Sequence, residues 1–319
     1  MRVLVTGAGG FLGRRLSRAL VAAGSLAGSD GRRRPIAELC LADLAAFEPP
    51  PAPGLAIETC LGDLAEPAFL ESLIERGFDS LFHLASQLTL QAERDPARAY
   101  IVNVEALRHL LDGAQHCPTV VFASSIAVFG GELPETVGDE VAPAPTTTYG
   151  IHKAIDELLI AEYSRQGWVD GRSLRLPIVL TRPGTPQPAV SDRLAGILRE
   201  PFAGIDVSAP LAAGTAVPVA SAGAVVAALL RVHDLPAHEL PARRAFNLPG
   251  LTVTVAELAE AAARRGATGK VTYAPDPQMQ AIVDGWPSRF VSDRAARLGI
   301  AADPDVDALV SDYLDHRED

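Results

Sequence analysis

The first half of the chain alternates short apolar runs with segments whose apolar residues recur at the helical period. The runs have the length and composition of buried strands, and they cover Arg2–Thr6, Ile36–Asp43, Leu55–Cys60, Phe78–Leu84 and Thr119–Ala123. The clearest intervening helices are predicted at 96–116 and 149–166, each with an apolar stripe. This alternation predicts an α/β fold with a doubly wound parallel sheet.

The pattern changes on both sides of the second strand and again in the last third of the chain. Residues 24–35 and 47–54 are rich in Gly and Pro and predict exposed loops. After Pro177 a turn-like segment (181–188) precedes a short predicted helix (191–199), and further helices are predicted at about 255–265 and 304–317. We therefore expect a smaller mixed lobe at the carboxyl end.

Composition narrows the class of partner. The 319 residues include 28 basic and 39 acidic side chains, a net charge of -11, which argues against nucleic acid and anionic membranes as partners. No stretch approaches the roughly 20 apolar residues of a membrane span, and the first residues form a strand pattern, so a cytoplasmic location is expected. The three cysteines are scattered, which indicates neither a disulfide framework nor a metal site.

A glycine-rich loop, GAGGFLG at 7–13, stands between the first strand and the first helix. Glycine permits a tight turn and lets backbone amides approach a pyrophosphate, while the helix N-terminus supplies partial positive charge. The position of the loop after the first strand therefore predicts dinucleotide binding. The residues expected to contact the dinucleotide are Gly7, Gly10, Phe11 and Leu12.

The end of the second strand favours NAD over NADP. Asp43 closes that strand, where a carboxylate can accept hydrogen bonds from the adenosine ribose and repels a 2′-phosphate. The arginines at 32–34 precede the strand, which places them roughly 25 Å from the ligand-binding edge of the sheet, so they are interpreted as a solvated loop. Asp63 and Leu64 follow the third strand and are predicted to meet the adenine, although Asp63 also suits an ordinary turn.

A second group of residues has the chemistry of hydride transfer. Ser124 and Ser125 follow the fifth strand directly, and Tyr149 and Lys153 are spaced to share one face of a helix. We predict that Tyr149 is the general base, that Ser125 hydrogen-bonds the substrate oxygen, and that Lys153 lowers the pKa of the phenol and binds the nicotinamide ribose.

These motifs resemble the extended short-chain dehydrogenase/reductase superfamily. The similarity rests on TGAGGFLG (6–13), HLA (83–85), the two serines and YGIHK (149–153). It implies a Rossmann domain at 1–176 plus about 212–248, a substrate lobe at about 177–211 plus 249–319, and a homodimer formed through the helices at 96–116 and 149–166. It also implies further cofactor contacts: Leu84, Ala85, Ser86, Asn103, Pro177 and Val179. Of these, Asn103 is expected to support the lysine through a water molecule.

The segments SSIAVFGG (124–131), DGRSLRLP (170–177), RPG (182–184) and GILREP (196–201) further resemble the D-erythronate dehydrogenase group. That likeness implies NAD-dependent oxidation of the C2 hydroxyl of a small sugar acid to a 2-oxo acid. Arg182 and Arg193 are candidates to bind the acid's carboxylate, and a structural salt bridge is the competing interpretation of each. The chain departs from the group's pattern at four positions, which leaves the acid open: Thr185, Gln187, Asp192 and Arg193.

Other interpretations stay open. A nucleotide-sugar epimerase or dehydratase with tightly bound NAD uses the same tyrosine and lysine, and a non-catalytic NAD sensor is a third alternative. His83 is expected to be a buried histidine bonded to the backbone. His152 is expected to face solvent.

Overall fold

The structure is a computed structural model that describes residues 1–28, 30–180 and 190–316. Its contacts divide the chain into two compact units. The first unit comprises 1–124, 151–175 and 226–246, and the second comprises 125–150, 176–225 and 247–319. Each unit is thus built from segments that are far apart in sequence.

The described residues form the following strands and helices. The strands are β1 (Arg2–Thr6), β2 (Ser25–Ala27), β3 (Arg33–Pro35), β4 (Glu38–Asp43), β5 (Ala56–Leu61), β6 (Ser80–His83), β7 (Thr119–Ser125), β8 (Thr136–Val137), β9 (Asp170–Leu176), β10 (Ile178–Val179), β11 (Val207–Ala209), β12 (Ala216–Ala220), β13 (Ala245–Asn247), β14 (Leu251–Thr254), β15 (Val271–Tyr273) and β16 (Arg289–Phe290). The helices are α1 (Phe11–Ala23), α2 (Pro67–Arg76), α3 (Thr89–Arg94), α4 (Pro96–Tyr100), α5 (Ala106–Asp112), α6 (Thr148–Arg165), α7 (Val190–Phe202), α8 (Ala222–His233), α9 (Val255–Arg264), α10 (Pro277–Asp284), α11 (Asp293–Arg297) and α12 (Val306–His316).

The first unit is organised around a seven-stranded sheet, counted over the described residues, with the order β13-β9-β7-β6-β1-β4-β5. The adjacent strands β7, β6, β1, β4 and β5 pair in parallel. Val3 of β1 is opposite Leu39 of β4 on one side and Ser80 of β6 on the other. This is the doubly wound order of a Rossmann fold, in which the chain reverses direction across the sheet next to β1. The carboxyl ends of β1, β4, β6 and β7 consequently meet at one edge, and the predicted fold class is confirmed.

Helix α1 shows how the apolar pattern is realised. Leu16 and Leu20 are fully buried against the sheet, and Gly24 ends the helix in the left-handed conformation (φ 62°), where its N–H bonds to the carbonyl of Leu20. Glycine adopts this conformation without steric cost. The predicted stop at Gly24 is therefore confirmed.

The helix predicted at 96–116 is shorter and less regular. It starts at Pro96 and ends at Asp112, and residues 101–105 form a π-helical segment between α4 and α5. A π-helical segment inside a longer helix is often found at functional sites, because it shifts the side chains that follow it around the helix axis. The buried Asn103 lies in the middle of this segment.

The segment 24–35 was predicted as a loop, and this was wrong. It contains the antiparallel hairpin of β2 and β3, in which Ser25 is opposite Pro35. The hairpin is held by Asp234, which accepts a hydrogen bond from the Ala27 amide (2.9 Å) and pairs with Arg33 (2.5 Å). An ion pair with a residue about 200 positions away leaves no trace in the local sequence.

The second unit has its own apolar core. Strand β12 pairs in parallel with β10 and antiparallel with β14, and α7, α9 and α12 contribute Leu198, Leu258 and Leu309 to the buried cluster. Thr254 caps α9 through a reciprocal exchange of hydrogen bonds with Glu257, as expected for a capping box. Over the residues described, no helix is long and apolar enough to cross a membrane.

Candidate active site

The glycine loop has the geometry of a phosphate cradle. Gly7 has a φ of 73°, and a Cβ there would lie 2.8 Å from the amide nitrogen of Ala85. A Cβ on Gly13 would overlap the carbonyl of Gly7. Helix α1 begins after Gly10 with no side-chain cap and no acidic residue in its first turn. The loop therefore fits the pyrophosphate of a dinucleotide, because its backbone is open to close approach at a helix N-terminus.

Asp43 and Asp63 occupy different settings at the same edge of the sheet. The Asp43 carboxylate accepts hydrogen bonds from the amides of Gly9 (2.8 Å) and Ala45 (3.2 Å), which orient it at the end of β4 beside the glycine loop. Asp63 accepts from the Ala65 amide (2.9 Å) in a tight turn and is ion-paired with Arg98. The side chain of Leu64 is buried.

The loop after β6 is clamped by Asn103. Its Oδ1 accepts from the Gln87 amide (2.7 Å) and from the Ser86 hydroxyl (3.1 Å), and its Nδ2 donates to the Gln87 carbonyl (3.0 Å). Asn103 thus fixes the segment that continues from Leu84 and Ala85, whose backbone packs against Gly7. The amide that makes these contacts belongs to the π-helical segment.

Ser125 and the start of α6 meet within the second unit. The Ser125 hydroxyl accepts from the Ala127 amide (3.1 Å), which starts a short 3-10 turn. A Cβ on Gly150 would overlap the carbonyl of Ala127, so the first turn of α6 lies directly against this turn. Tyr149 is buried next to Gly150. The close approach that only glycine allows therefore packs the first turn of α6 against the turn that follows Ser125.

Lys153 is anchored within the first unit. Its ammonium donates to the Ala123 carbonyl (2.9 Å) and lies 4.3 Å from the centroid of the Phe122 ring. Burial lowers the pKa of Lys153 to about 8, although the nearby Asp156 and Glu157 carboxyl groups act in the opposite direction. The lysine follows Tyr149 by one turn of α6, and it holds that helix to β7 two residues before Ser125.

A buried network around Glu157 was not predicted from the sequence. This carboxylate accepts from the Ser124 hydroxyl (2.6 Å) and from two nitrogens of Arg175 (2.8 and 2.7 Å). It lies one turn beyond Lys153, and that spacing was the available signal. The neighbouring Asp156 is fully buried, its carboxyl oxygens have no hydrogen-bond partner among the described residues, and burial raises its pKa. The shift follows from burial, because a carboxylate without hydrogen-bond partners is costly to charge.

The predictions for His83 and His152 compare differently with the structure. His83 is buried as expected, but its Nδ1 lies 2.8 Å from the Thr6 hydroxyl rather than from a backbone group. Burial and the Lys153 charge lower its pKa to about 3. The prediction that His152 faces solvent was wrong: the ring is buried, meets Tyr100 edge-on at 5.7 Å, and lies 3.4 Å from Asn103. Helix α4 covers it, which local periodicity could not reveal.

Four of the remaining predicted residues are described in the second unit: Pro177, Val179, Asp192 and Arg193. Pro177 precedes β10, and Val179 pairs with Ala220 of β12. The Arg193 side chain is 47% exposed, and its guanidinium is 3.8 Å from the Asp276 carboxylate. Arg182, Thr185 and Gln187 lie outside the described residues. The buried Asp192 pairs with Arg199 at 3.0 Å, which occupies its carboxylate within α7.

Fold and site together define an enzyme with a nicotinamide dinucleotide site. A family model described as "NAD dependent epimerase/dehydratase family" matches residues 3–205, and the chain belongs to this family. It is 40% identical to the D-erythronate dehydrogenase of Cupriavidus necator, over 99% of this chain and 98% of that protein. It is 35% identical to the D-erythronate dehydrogenase of Haemophilus influenzae, over 99% of each.

A solved structure adds a second kind of relative. The crystal structure of the nucleoside-diphosphate-sugar epimerase from Agrobacterium tumefaciens superposes with a TM-score of 0.91 at 34% identity, covering 100% of this chain and 94% of that one. The predicted resemblance to the extended short-chain dehydrogenase/reductase superfamily is thus confirmed.

Proposed function

We propose that the protein oxidises the C2 hydroxyl of a small sugar acid, D-erythronate or a close analogue, to the 2-oxo acid with NAD. One observation carries the catalytic part of this proposal: the start of α6 is attached to the carboxyl end of β7. Gly150 lies against the Ala127 carbonyl, and Lys153 donates to the Ala123 carbonyl. Ser125 lies between the two acceptor residues in sequence, and the proposal assigns the hydroxyl to the end of β7 and the phenol and the ammonium to α6.

The chemistry requires a phenol that works as a base. Tyrosine has an ordinary pKa of about 10, so acting near pH 7 requires roughly three units, about 4 kcal/mol, of preferential stabilisation of the phenolate. The ammonium of Lys153 supplies a positive charge for this purpose. Tyr149 then takes the proton of the substrate hydroxyl while Ser125 hydrogen-bonds the same oxygen. Bound NAD would accept the hydride from the carbon, and the products are the 2-oxo acid, NADH and a proton.

The cofactor contacts proposed from the sequence are supported by the loop geometry. In this proposal the glycine loop binds the pyrophosphate, and Asp43 binds the adenosine ribose. The other proposed dinucleotide contacts are Gly10, Phe11, Leu12, Asp63, Leu64, Leu84, Ala85, Ser86, Asn103, Tyr149, Lys153, Pro177 and Val179. Because the Asp43 carboxylate is fixed by two backbone amides, it would face a 2′-phosphate with a charge that cannot turn away, which favours NAD.

The acid part of the proposal rests on the relatives and on two arginines. Both dehydrogenases that match over nearly the full length are named for D-erythronate. Arg182 and Arg193 are proposed to bind the substrate carboxylate, and the half-exposed Arg193 has a carboxylate already within 3.8 Å. A carboxylate replacing Asp276 at that guanidinium would make a charge-assisted contact. Such a contact acts equally on ground and transition states, so its loss should raise KM more than it lowers kcat.

We also propose a homodimer. Four large apolar side chains on α4, the π-helical segment and α6 are exposed: Tyr100, Ile101, Ile151 and Leu158. The edge-on contact of Tyr100 with His152 places these helices side by side within the first unit, which makes the apolar residues neighbours. An exposed apolar patch on two adjacent helices is typical of a surface that is covered by a partner.

The test is NADH formation with four- to six-carbon aldonates, compared with the corresponding neutral lactones. We expect acids to be oxidised with one NADH per substrate, and Arg193→Ala to raise KM. If neutral lactones react as well as the acids, a carboxylate-binding role for Arg182 and Arg193 is excluded.

The second candidate is a nucleotide-sugar epimerase, which the likeness to the Agrobacterium epimerase favours. An epimerase returns the hydride to its own product, so it forms no net NADH. Conversion of a nucleotide sugar without NADH, together with no turnover of aldonates, would replace the dehydrogenase proposal by this alternative.

A further inference from the structure

The aromatic side chain of Phe47, in the loop after β4, lies against the glycine loop. Leu44, Ala45 and Ala46 are exposed, whereas Phe47 is half-buried. A Cβ built on Gly9 would lie 2.8 Å from Cδ1 of Phe47 and 3.1 Å from Cγ of Asp43. The phenyl ring and the carboxylate therefore converge on the same point above Gly9.

We propose that Phe47 is a specificity-determining residue that closes the 2′ side of the adenosine ribose site and so excludes NADP by shape. The inference rests on the cofactor part of the proposed function, and it goes beyond the charge of Asp43. A ribose that bonds to the Asp43 carboxylate must lie beside this ring, because the two side chains are neighbours at Gly9.

Shape and charge act together in this arrangement. A 2′-phosphate adds a bulky group carrying about 1.5 to 2 negative charges at the position next to the carboxylate. The ring occupies part of that volume and keeps water from it, which strengthens the repulsion between the phosphate and Asp43. The Asp43 carboxylate is itself held by the amides of Gly9 and Ala45, so it cannot withdraw.

A cation near Gly9 could attract a 2′-phosphate, so the charge of Asp43 alone would exclude NADP less well. Arg14 donates from Nε to the Gly9 carbonyl (2.9 Å), so its guanidinium lies beside the same loop. A guanidinium attracts phosphate through paired hydrogen bonds. Without the ring, the positive charge of Arg14 would partly offset the repulsion from Asp43. In this proposal, the ring therefore also limits the access of a 2′-phosphate to this cation.

The experiment uses cofactor fragments, which require no sugar acid. Binding of 5′-AMP and of 2′,5′-ADP, which differ only in the 2′-phosphate, is measured by calorimetry on the full chain for the unmodified protein, Phe47→Ala, Asp43→Ala and the double variant. Leu44→Ala, in the same loop but 68% exposed, is the matched control. We expect Phe47→Ala to improve 2′,5′-ADP binding relative to 5′-AMP by about fivefold or more. The double variant should fall short of the product of the single effects, because the ring strengthens the same Asp43 repulsion that Asp43→Ala removes.

Other outcomes overturn the inference. An equal change in the binding of both fragments would make Phe47 a general adenosine contact, and an unchanged ratio would remove it from the site. Multiplicative effects in the double variant would show that the ring acts independently of the carboxylate. Since the fragments report only on the adenosine end, these results stand apart from aldonate turnover, which tests the proposed function.

Discussion

The ammonium of Lys153 donates a hydrogen bond to the carbonyl of Ala123, at 2.9 Å. This bond holds one turn of α6 against the last residues of β7, where the two serines follow. The lysine is fully buried, and a buried cation requires such a partner. Its position is therefore fixed by the fold before any ligand binds, which suits a group whose proposed work is electrostatic.

Replacing Lys153 by Met should change the pH profile as well as the rate. If the ammonium lowers the pKa of Tyr149, its removal raises that pKa, and the acid limb of kcat/KM should move to higher pH by about one unit or more. The measurement is kcat/KM for the best aldonate between pH 6 and 10. A lower rate with an unmoved limb would show that Lys153 only supports the structure.

Tyr149→Phe should remove the base without disturbing the fold. The ring that packs at the start of α6 is kept, so NAD binding and thermal unfolding should stay close to those of the unmodified protein. The rate should fall by about 10²–10⁴, the usual contribution of a positioned acid or base. Calorimetry measures the binding of NAD, and steady-state kinetics measure the loss of turnover. Near-normal turnover in this variant would end the assignment.

Glu157→Ala should be strongly destabilising. Arg175 is almost fully buried, and its ion pair with Glu157 would be lost, leaving a charge without its carboxylate. Breaking a buried pair in this way costs about 3–5 kcal/mol of unfolding free energy. Glu162→Ala is the matched control, because it removes an exposed Glu–Arg pair from the same helix and should change little. Equal denaturation midpoints for the two variants would contradict the role given to the network.

The sequence predicted what depends on local pattern, and missed what depends on distant partners. The five strands predicted in the first half of the chain and the stop at Gly24 follow from apolar periodicity and from backbone freedom, so the sequence could predict them. The β2–β3 hairpin depends on Asp234, and the burial of His152 depends on Tyr100, so neither has a local signature. Tyr149 and Lys153 were identified by their spacing. The same spacing, extended by one more turn of the helix, leads to Glu157.

Stability should fall at acid pH partly because of His83. Its pKa in the folded state is lowered from about 6.5 to about 3 by burial and by Lys153. Below pH 6.5 the unfolded chain binds a proton that the folded protein does not, so stability decreases as pH falls through this range. By pH 5 the loss is about 2 kcal/mol. His83→Gln should flatten this part of the curve, and the exposed His238→Gln should leave it unchanged. Chemical denaturation at pH 7.5 and pH 5 measures both.

Leu158→Lys should separate the proposed dimer. Leu158 is 72% exposed on α6, and a charge placed in the centre of an apolar interface must lose its hydration when the partner binds. We expect the unmodified protein to sediment as a dimer and the variant as a folded monomer. Leu44→Lys, which alters a similarly exposed leucine after β4, is the control and should remain dimeric. If both variants sediment as the unmodified protein does, α6 is not the interface, and the exposed apolar residues of this helix have another role.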